Sequence, residues 1–369
     1  MKVCIISPNA YPLLKGIPAE RLTGGAELQM KTIGSAFARR GIDVHFLVDD
    51  FGQPAYEYSE GIHIHKVPFD ISGQKIRFAF LILTLWRVLR RIGADIHIIK
   101  IPRNILMPLG IFCRKTGSKL IQVGQKDTDV DVVFLKKHAH WFNYISYRIG
   151  LKMADYIVAQ NLRQKTGFRN MANCPVTVIR NAHSMQSSDS GKDDGSVLWV
   201  GNNQKDKRPW LVPGAAKALP GLRFNMIVAD YAPGKHENYA ADGTKNLTLR
   251  GYVPFEEIHE YFANAALLIN TSLHEGFPNT FIQAWQHGTP VVSLTVDPDN
   301  VITEHGLGRV SGTFGQFLND INDLMCNRDL RIAYGKNARS YVKKYHDLDN
   351  IVDQYMDIFR ELSENRNRT

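Results

Sequence analysis

Three short stretches carry residue types whose spacing could handle a phosphorylated sugar. The most specific is His274-Glu275-Gly276-Phe277-Pro278-Asn279-Thr280-Phe281-Ile282-Gln283-Ala284-Trp285, which follows the apolar run Leu267 to Asn270. Pro278 is placed to begin a helix, so Glu275 and Gly276 fall in a strand-to-helix turn and Gln283 falls about one turn into the helix. A carboxylate in such a turn can accept hydrogen bonds from sugar hydroxyls. Main-chain N–H groups of Phe277, Asn279 and Thr280 would face a phosphate. The plainer alternative makes Glu275 a helix cap.

The second stretch, Val200-Gly201-Asn202-Asn203-Gln204-Lys205-Asp206-Lys207-Arg208-Pro209, sets Lys205, Lys207 and Arg208 at an expected helix start, with Pro209 at its first position. Departure of a nucleoside diphosphate needs fixed positive charge beside the leaving phosphates, and this cluster can supply it without a metal. The third, Thr23-Gly24-Gly25-Ala26-Glu27, opens an expected helix over 26–39 after the first strand. Two residues without Cβ let an anion approach the helix N-terminus. A solvated turn and a sterically required glycine pair are the ordinary readings of these two stretches.

The elements that must position them show as short apolar runs alternating with amphipathic stretches. In the first half the runs are Val3 to Ser7, Val44 to Val48, Ile62 to Val67, Ile96 to Ile99, Leu120 to Val123 and Tyr156 to Ala159. In the second they are Val197 to Val200, Arg223 to Val228, Leu247 to Arg250, Ala266 to Asn270 and Pro290 to Leu294, with helices near Pro209 to Leu219, Phe255 to Ala263 and Pro278 to His287. That rhythm belongs to parallel sheets covered on both faces. Two Rossmann-like domains are the economical reading, over 1–184 and 197–345. The small and charged residues Ser184 to Ser196 form the linker, and a helical tail over 346–369 follows.

Composition bounds the rest. The 369 residues, 44% hydrophobic and 22% charged, suit about two globular domains. No apolar stretch reaches the length of a membrane span. The opening MKVCIISPNAYP reads as a first strand and not a signal peptide. Cys4, Cys113, Cys174 and Cys326 stand far apart, which fits reduced thiols and a cytoplasmic location. Residues 1–190 hold 26 Lys+Arg and 14 Asp+Glu, a balance of +12, whereas residues 191–369 hold 19 and 22, a balance of −3. Arg77, Arg87, Arg90 and Arg91 flank the apolar run 78–86, in the manner of an interfacial helix or of a core helix with a solvated edge. No nucleic-acid-binding signature accompanies the charge.

Together with VTVIRNAH, LRGYVP and the continuation of the first stretch through HGTPVVS, these stretches resemble glycosyltransferase family 4, the retaining GT-B enzymes that use nucleotide sugars, over essentially the whole chain. The resemblance implies two Rossmann-like, doubly wound parallel-sheet domains facing a cleft. It also implies a donor held mainly by the second domain and a C-terminal helix returning to the first. Carried over by position, Glu275 holds hydroxyls of the donor sugar and Gly276 to Thr280 supply main-chain contacts. Lys207 neutralises the diphosphate, Tyr252 and Val253 pass the nucleobase, and Gly24 and Gly25 approach the phosphates.

Two positions depart from the family pattern. Gln283 stands where the second acid of E-x7-E binds the ribose, and Asn202 stands where an arginine follows Gly201, so Lys205 or Arg208 is expected to compensate. Retention in the family is pictured as front-face attack with the leaving phosphate taking the acceptor's proton, which needs alignment and charge stabilisation and no covalent nucleophile. On the acceptor side the candidates are His97, Lys100, Gln125, Asp127 and Asp129. The QKDTDVD segment also reads as a surface turn or a calcium loop, although an EF-hand's glycine and final glutamate are missing. His138 and His140, two apart, would point to different sides of a helix and make a poor metal pair.

The expectation is a cytoplasmic, metal-independent hexosyltransferase without cofactor. It moves a sugar from a nucleotide diphosphate donor to a glycan or lipid-linked glycan acceptor in cell-envelope or exopolysaccharide synthesis. It docks on the anionic inner membrane face and takes no nucleic acid. The rivals are a non-catalytic sugar-nucleotide-binding subunit, suggested by Asn202 and Gln283, and a nicotinamide-dependent oxidoreductase, which lacks G-x-G-x-x-G after the first strand.

Overall fold

A computed structural model describes residues 1–17, 24–69, 75–100, 103–184, 193–229 and 244–366; most of the expected linker, residues 185–192, and Thr23 of the glycine turn lie outside them. The chain forms two compact units, Met1–Ala182 with Leu348–Thr369, and His183–Asp347.

The first unit runs β1 (Lys2–Ile6), α1 (Tyr11–Lys15), α2 (Gly25–Arg39), β2 (Asp43–Val48), β3 (Tyr56–Ser59), β4 (Ile62–Lys66), α3 (Lys75–Ile92), β5 (Ile96–Ile99), α4 (Leu106–Thr116), β6 (Lys119–Val123), α5 (Val132–His138), α6 (Trp141–Met153), β7 (Tyr156–Ala159), α7 (Leu162–Arg169) and β8 (Val176–Val178). The sheet order is β3-β4-β2-β1-β5-β6-β7-β8, and each adjacent pair is parallel except the β3–β4 hairpin at the edge. Alternate residues serve opposite faces, as the strand period demands. Val3 and Ile5 join the core beneath α2, whereas Cys4 and Ile6 join the core with Leu81, Leu85 and Leu89 of α3. Gly34 of α2 sits where a Cβ would lie 2.6 Å from the Phe46 ring, so the helix can approach the sheet only without a side chain there.

The second unit runs β9 (Ser196–Gly201), α8 (Leu211–Ala218), β10 (Arg223–Val228), β11 (Leu247–Arg250), α9 (Phe255–Asn264), β12 (Leu267–Asn270), α10 (Asn279–Gln286), β13 (Val291–Ser293), α11 (Val301–His305), β14 (Gly308–Val310), α12 (Phe314–Cys326) and α13 (Arg328–Tyr345). Its sheet, β11-β10-β9-β12-β13-β14, is parallel throughout. Both faces are covered, by Phe281, Ile282 and Trp285 of α10 on one side and Phe317, Ile321 and Leu324 of α12 on the other.

The helical tail expected over 346–369 is a single helix set off from the one before it. α13 stops at Tyr345, and α14 (Leu348–Arg366) packs Ile351, Val352, Tyr355 and Phe359 into the first unit's core, with the Phe359 ring 5.2 Å from that of Phe37. Burying aromatic anchors of this kind is worth about 3–5 kcal/mol each by truncation. Among the described residues no helix is long and apolar enough to cross a membrane. The four cysteines are free thiols, and burial pushes that of Cys113 up to about 12.

Candidate active site

In an open parallel sheet, ligands bind outside the carboxyl ends of the strands where the order of connection reverses. In the second unit that point lies between β9 and β12, which pair directly although β10 and β11 intervene in sequence. The loops leaving these two strands are the two most specific motif stretches, and hydrogen bonds sew them together. Leu273 N–H donates to Asp206 O (2.7 Å), Thr271 Oγ1 donates to Lys207 O (2.6 Å), and Arg208 Nε donates to Thr271 O (2.5 Å).

On that frame the Lys207 ammonium and the Glu275 carboxylate form a direct ion pair. Their side chains are 23% and 9% exposed, so the pair is half sheltered and still reachable. Asn279 is the first residue of α10 and Pro278 its cap, one position later than the sequence suggests. Gly276 and Phe277 are buried beneath the turn, with the Phe277 ring packed on Trp285 and His346. Asn279 and Thr280 are half-buried at the helix's positive end. Gln283 follows one turn on and is 5% exposed. Tyr252, 38% exposed, and Val253 lie in the loop after β11, two strands from β9.

One cation does not behave as the motif suggests. Arg208 adopts a left-handed backbone (φ 50°), which turns its guanidinium inward to Thr271 O, Ser272 O (3.3 Å) and Thr295 Oγ1 (3.3 Å). It braces the two loops instead of standing as a free phosphate cation, and burial lowers its pKa. Pro209 precedes α8 by two positions, because a turn intervenes. Lys205 is exposed, and the Asn202 side chain accepts from Gln204 N–H (3.3 Å), shaping its own loop.

The first unit's switch point lies between β1 and β5. Gly24 caps α2, which begins at Gly25, and its N–H donates to Glu27 Oε2 (3.0 Å). The carboxylate of Glu27 therefore already occupies the helix N-terminus that the glycines were expected to open to a phosphate. Lys100 follows β5 and is 7% exposed; burial pushes its ammonium down to about 8, against the pull of Glu27 and Asp129. Beside it, Gln29, Gln160, Asn181 and Tyr355 line a cavity of about 10 Å³, room for roughly one water.

The remaining acceptor-side candidates separate. His97 drops out: it is 0% exposed within β5, its ring stacked on Phe112 (5.7 Å), and the strand's alternation turns it into the core. Asp129 accepts from Gln125 N–H (2.8 Å) and Lys126 N–H (3.0 Å), closing a 3-10 turn with half-buried Gln125 at its start. Asp127 accepts from Asn161 Nδ2 (2.8 Å), and burial raises its pKa. Asp131 caps α5 by accepting from Phe134 N–H. The acids thus point separately into turns, which leaves no convergent calcium loop. His138 ends α5 while His140 caps α6, so the two flank a break and do not share a helix.

Sequence reasoning passed over Thr271 and Trp199. Trp199 Nε1 donates to Thr271 Oγ1 (2.9 Å), and that hydroxyl donates onward to Lys207 O. A Cβ on Gly201 would lie 2.7 Å from the Trp199 indole, which is why glycine ends β9. The available signal was position: Thr271 is the first residue beyond β12, on the edge where a parallel sheet presents its ligand.

Residues 195–327 match the family model described as glycosyl transferases group 1, and residues 23–186 match that of glycosyltransferase family 4. Similar solved structures include sucrose-phosphate synthase from Thermosynechococcus elongatus (15% identical, TM-score 0.81, covering 99% of this chain and 100% of that one). The Anabaena protein HepE, solved with UDP and glucose, is 17% identical with a TM-score of 0.73 over 98% of this chain and 100% of its own. A TarM variant of S. aureus, solved with fondaparinux, α-GlcNAc-glycerol and UDP, is 11% identical with a TM-score of 0.76 over 97% and 99%. At such identities the likeness establishes the GT-B fold. With one family model on each half and that fold along the whole length, the chain belongs to the GT-B glycosyltransferases of the family 4 type.

Proposed function

We propose that the chain transfers a sugar, with retention, from a nucleoside diphosphate donor to a glycan or lipid-linked glycan acceptor in envelope or exopolysaccharide synthesis. The observation that carries the reading is the Lys207–Glu275 pair at the β9/β12 switch point, beside the N-terminus of α10. Lys207 and the amide end of α10 take the diphosphate, and the lysine is the fixed cation that makes a divalent ion unnecessary for the departing phosphates. Glu275, released from Lys207 when the diphosphate arrives, accepts from the donor sugar's hydroxyls. The nucleobase lies toward Tyr252 and Val253, and Gln283 bonds the ribose through its amide. On the first unit, Lys100 with Glu27 forms a buried polar floor on the acceptor side. The leaving phosphate takes the acceptor's proton, so no protein nucleophile is assigned.

UDP in the HepE and TarM structures makes the uridine nucleotide the first to test. Calorimetric titration of UDP, GDP, ADP and CDP into wild type and Lys207→Ala should show one preferred base and a weakened mutant. Absence of binding to all four would overturn the donor assignment. A second reading, a subunit that binds donor without turnover, is favoured by one finding: Arg208 is committed to carbonyls and does not replace the cation missing at Asn202. Slow donor hydrolysis by the enzyme, against none by a binding subunit, separates the two.

Docking of the first unit on an anionic membrane face is supported by Phe80, Leu83 and Trp141, which are 61%, 65% and 67% exposed on α3 and α6. These helices meet through the Phe78 and Phe142 rings, 5.2 Å apart, and Lys136 and Lys137 on α5 are exposed. Flotation with anionic vesicles checks this, and equal flotation with neutral vesicles would sink it.

A further inference from the structure

A second constellation lies at the edge of the first unit's sheet, at the amino ends of β2 and β4 and so on the opposite end of the strands from Lys100. His45 of β2 is registered against His63 of β4, and Tyr58 and Tyr56 of β3 against His63 and His65. The two-residue period puts Asp43 on the same face as His45. His45 Nε2 lies 3.0 Å and His63 Nε2 3.4 Å from Asp43 Oδ1, and the three atoms lie within 4.8 Å of one another. A tetrahedral zinc with bonds of about 2.0–2.1 Å needs ligand atoms roughly 3.3 Å apart, so two of the three edges are already at the required length.

The far nitrogens are engaged. His45 Nδ1 is 2.9 Å from His65 Nε2, and His63 Nδ1 is 2.9 Å from Tyr56 Oη. If each ligand histidine donates through Nδ1, both ε nitrogens carry a free lone pair, the tautomer that outer-shell partners select in metal-binding imidazoles; the two rings are stacked (4.4 Å, 13°), and one turns about its side-chain bonds to bring both lone pairs onto a single ion. His45 is 6% exposed, and its buried Nε2 faces the Asp43 carboxylate. Lys2 Nζ sits 3.6 Å from Asp43, on the other oxygen, and Arg91 acts electrostatically on His65; both cations temper the affinity without blocking Oδ1.

We propose that Asp43, His45 and His63 form a zinc site at this sheet edge, with His65 and Tyr56 as positioning residues and water completing the coordination on the exposed side. Two imidazoles and one carboxylate suit Zn²⁺ and disfavour the oxygen-seeking Mg²⁺ and Ca²⁺. Titration of ZnCl₂ into chelator-stripped protein should show one ion per chain and no competition from MgCl₂, and Co²⁺ should give the intense visible bands of a four-coordinate centre. His63→Ala and Asp43→Asn alter partly exposed side chains and spare the buried His45; each should weaken binding at least tenfold, and Tyr56→Phe about tenfold, with His138→Ala unchanged. Circular dichroism confirms that each variant is folded. No Zn²⁺ binding by wild type, binding that survives both His63→Ala and Asp43→Asn, or equal loss in His138→Ala would overturn the site.

Discussion

Each unit brings a lysine and carboxylates to the carboxyl end of a parallel sheet at its switch point, yet solvent meets the two lysines differently. Lys207 pairs with one carboxylate in a half-sheltered loop, whereas Lys100 lies buried near Glu27 and Asp129, whose oxygens are also taken up by main-chain donors. The reason is local. The β9 and β12 loops are tied to each other by main-chain bonds that leave Lys207 and Glu275 part-exposed, while Glu27 folds back over its own helix end. Chemistry with a mobile, highly charged ligand suits the first arrangement, and a fixed polar floor suits the second.

The largest effect should come from Glu275→Ala, which is expected to lower sugar transfer by about 10²–10³-fold while leaving the UDP affinity within a few-fold. Unchanged transfer would remove Glu275 from the chemistry. Lys207→Ala should instead weaken nucleoside diphosphate binding by about 10–100-fold, the worth of a lost charge-assisted contact, more steeply at low ionic strength. Calorimetry at two salt concentrations checks it, and an equal loss in Lys205→Ala would blur the distinction drawn between a braced loop and its exposed rim.

The buried lysine predicts a pH effect. With Lys100 at about 8 in the folded chain and near 10.5 when unfolded, the unfolded state binds the extra proton between those values, so stability rises with pH across that window. The cost of burying the charge is fully present below about pH 8 and is relieved as the pH climbs to 10.5. Denaturation of wild type against Lys100→Met should show wild type gaining about 3 kcal/mol from pH 7.5 to 10.5, and parallel profiles would mean that the ammonium is solvated. Smallest, Thr271→Val keeps the shape but strips the hydroxyl from Trp199 Nε1 and Lys207 O, and should cost about 1–2 kcal/mol in urea unfolding of the second unit.

Much of the fold was readable because doubly wound sheets write their strands as short runs rich in apolar residues. Ile96–Ile99, Tyr156–Ala159, Arg223–Val228 and Leu247–Arg250 appear in the structure with the expected ends. The strands passed over, β3, β8 and β14, have three or four residues each and at most two aliphatic side chains, too few to stand out as an apolar run. β3 belongs to a hairpin turned by Glu60 and Gly61, both at positive φ, and its alternating exposure is that of an edge. The loops of the candidate site were legible because the carboxyl ends of adjacent parallel strands must meet. What those loops do with Arg208 was not, because a left-handed backbone at a non-glycine residue reverses where the side chain goes. His97 failed for a related reason: a four-residue strand buried on both faces gives no alternation to say which side a histidine takes.

The helix that closes the first unit has a consequence for how the polypeptide matures. α14 is translated only after the whole of His183–Asp347, yet its Val352 and Phe359 complete the core that begins with Val3 and Phe37. The second unit is continuous in sequence and can fold as soon as it leaves the ribosome, while the first must wait with an apolar flank uncovered until its last helix arrives. The order of synthesis therefore makes the nascent first unit the stage most exposed to chaperones and to aggregation.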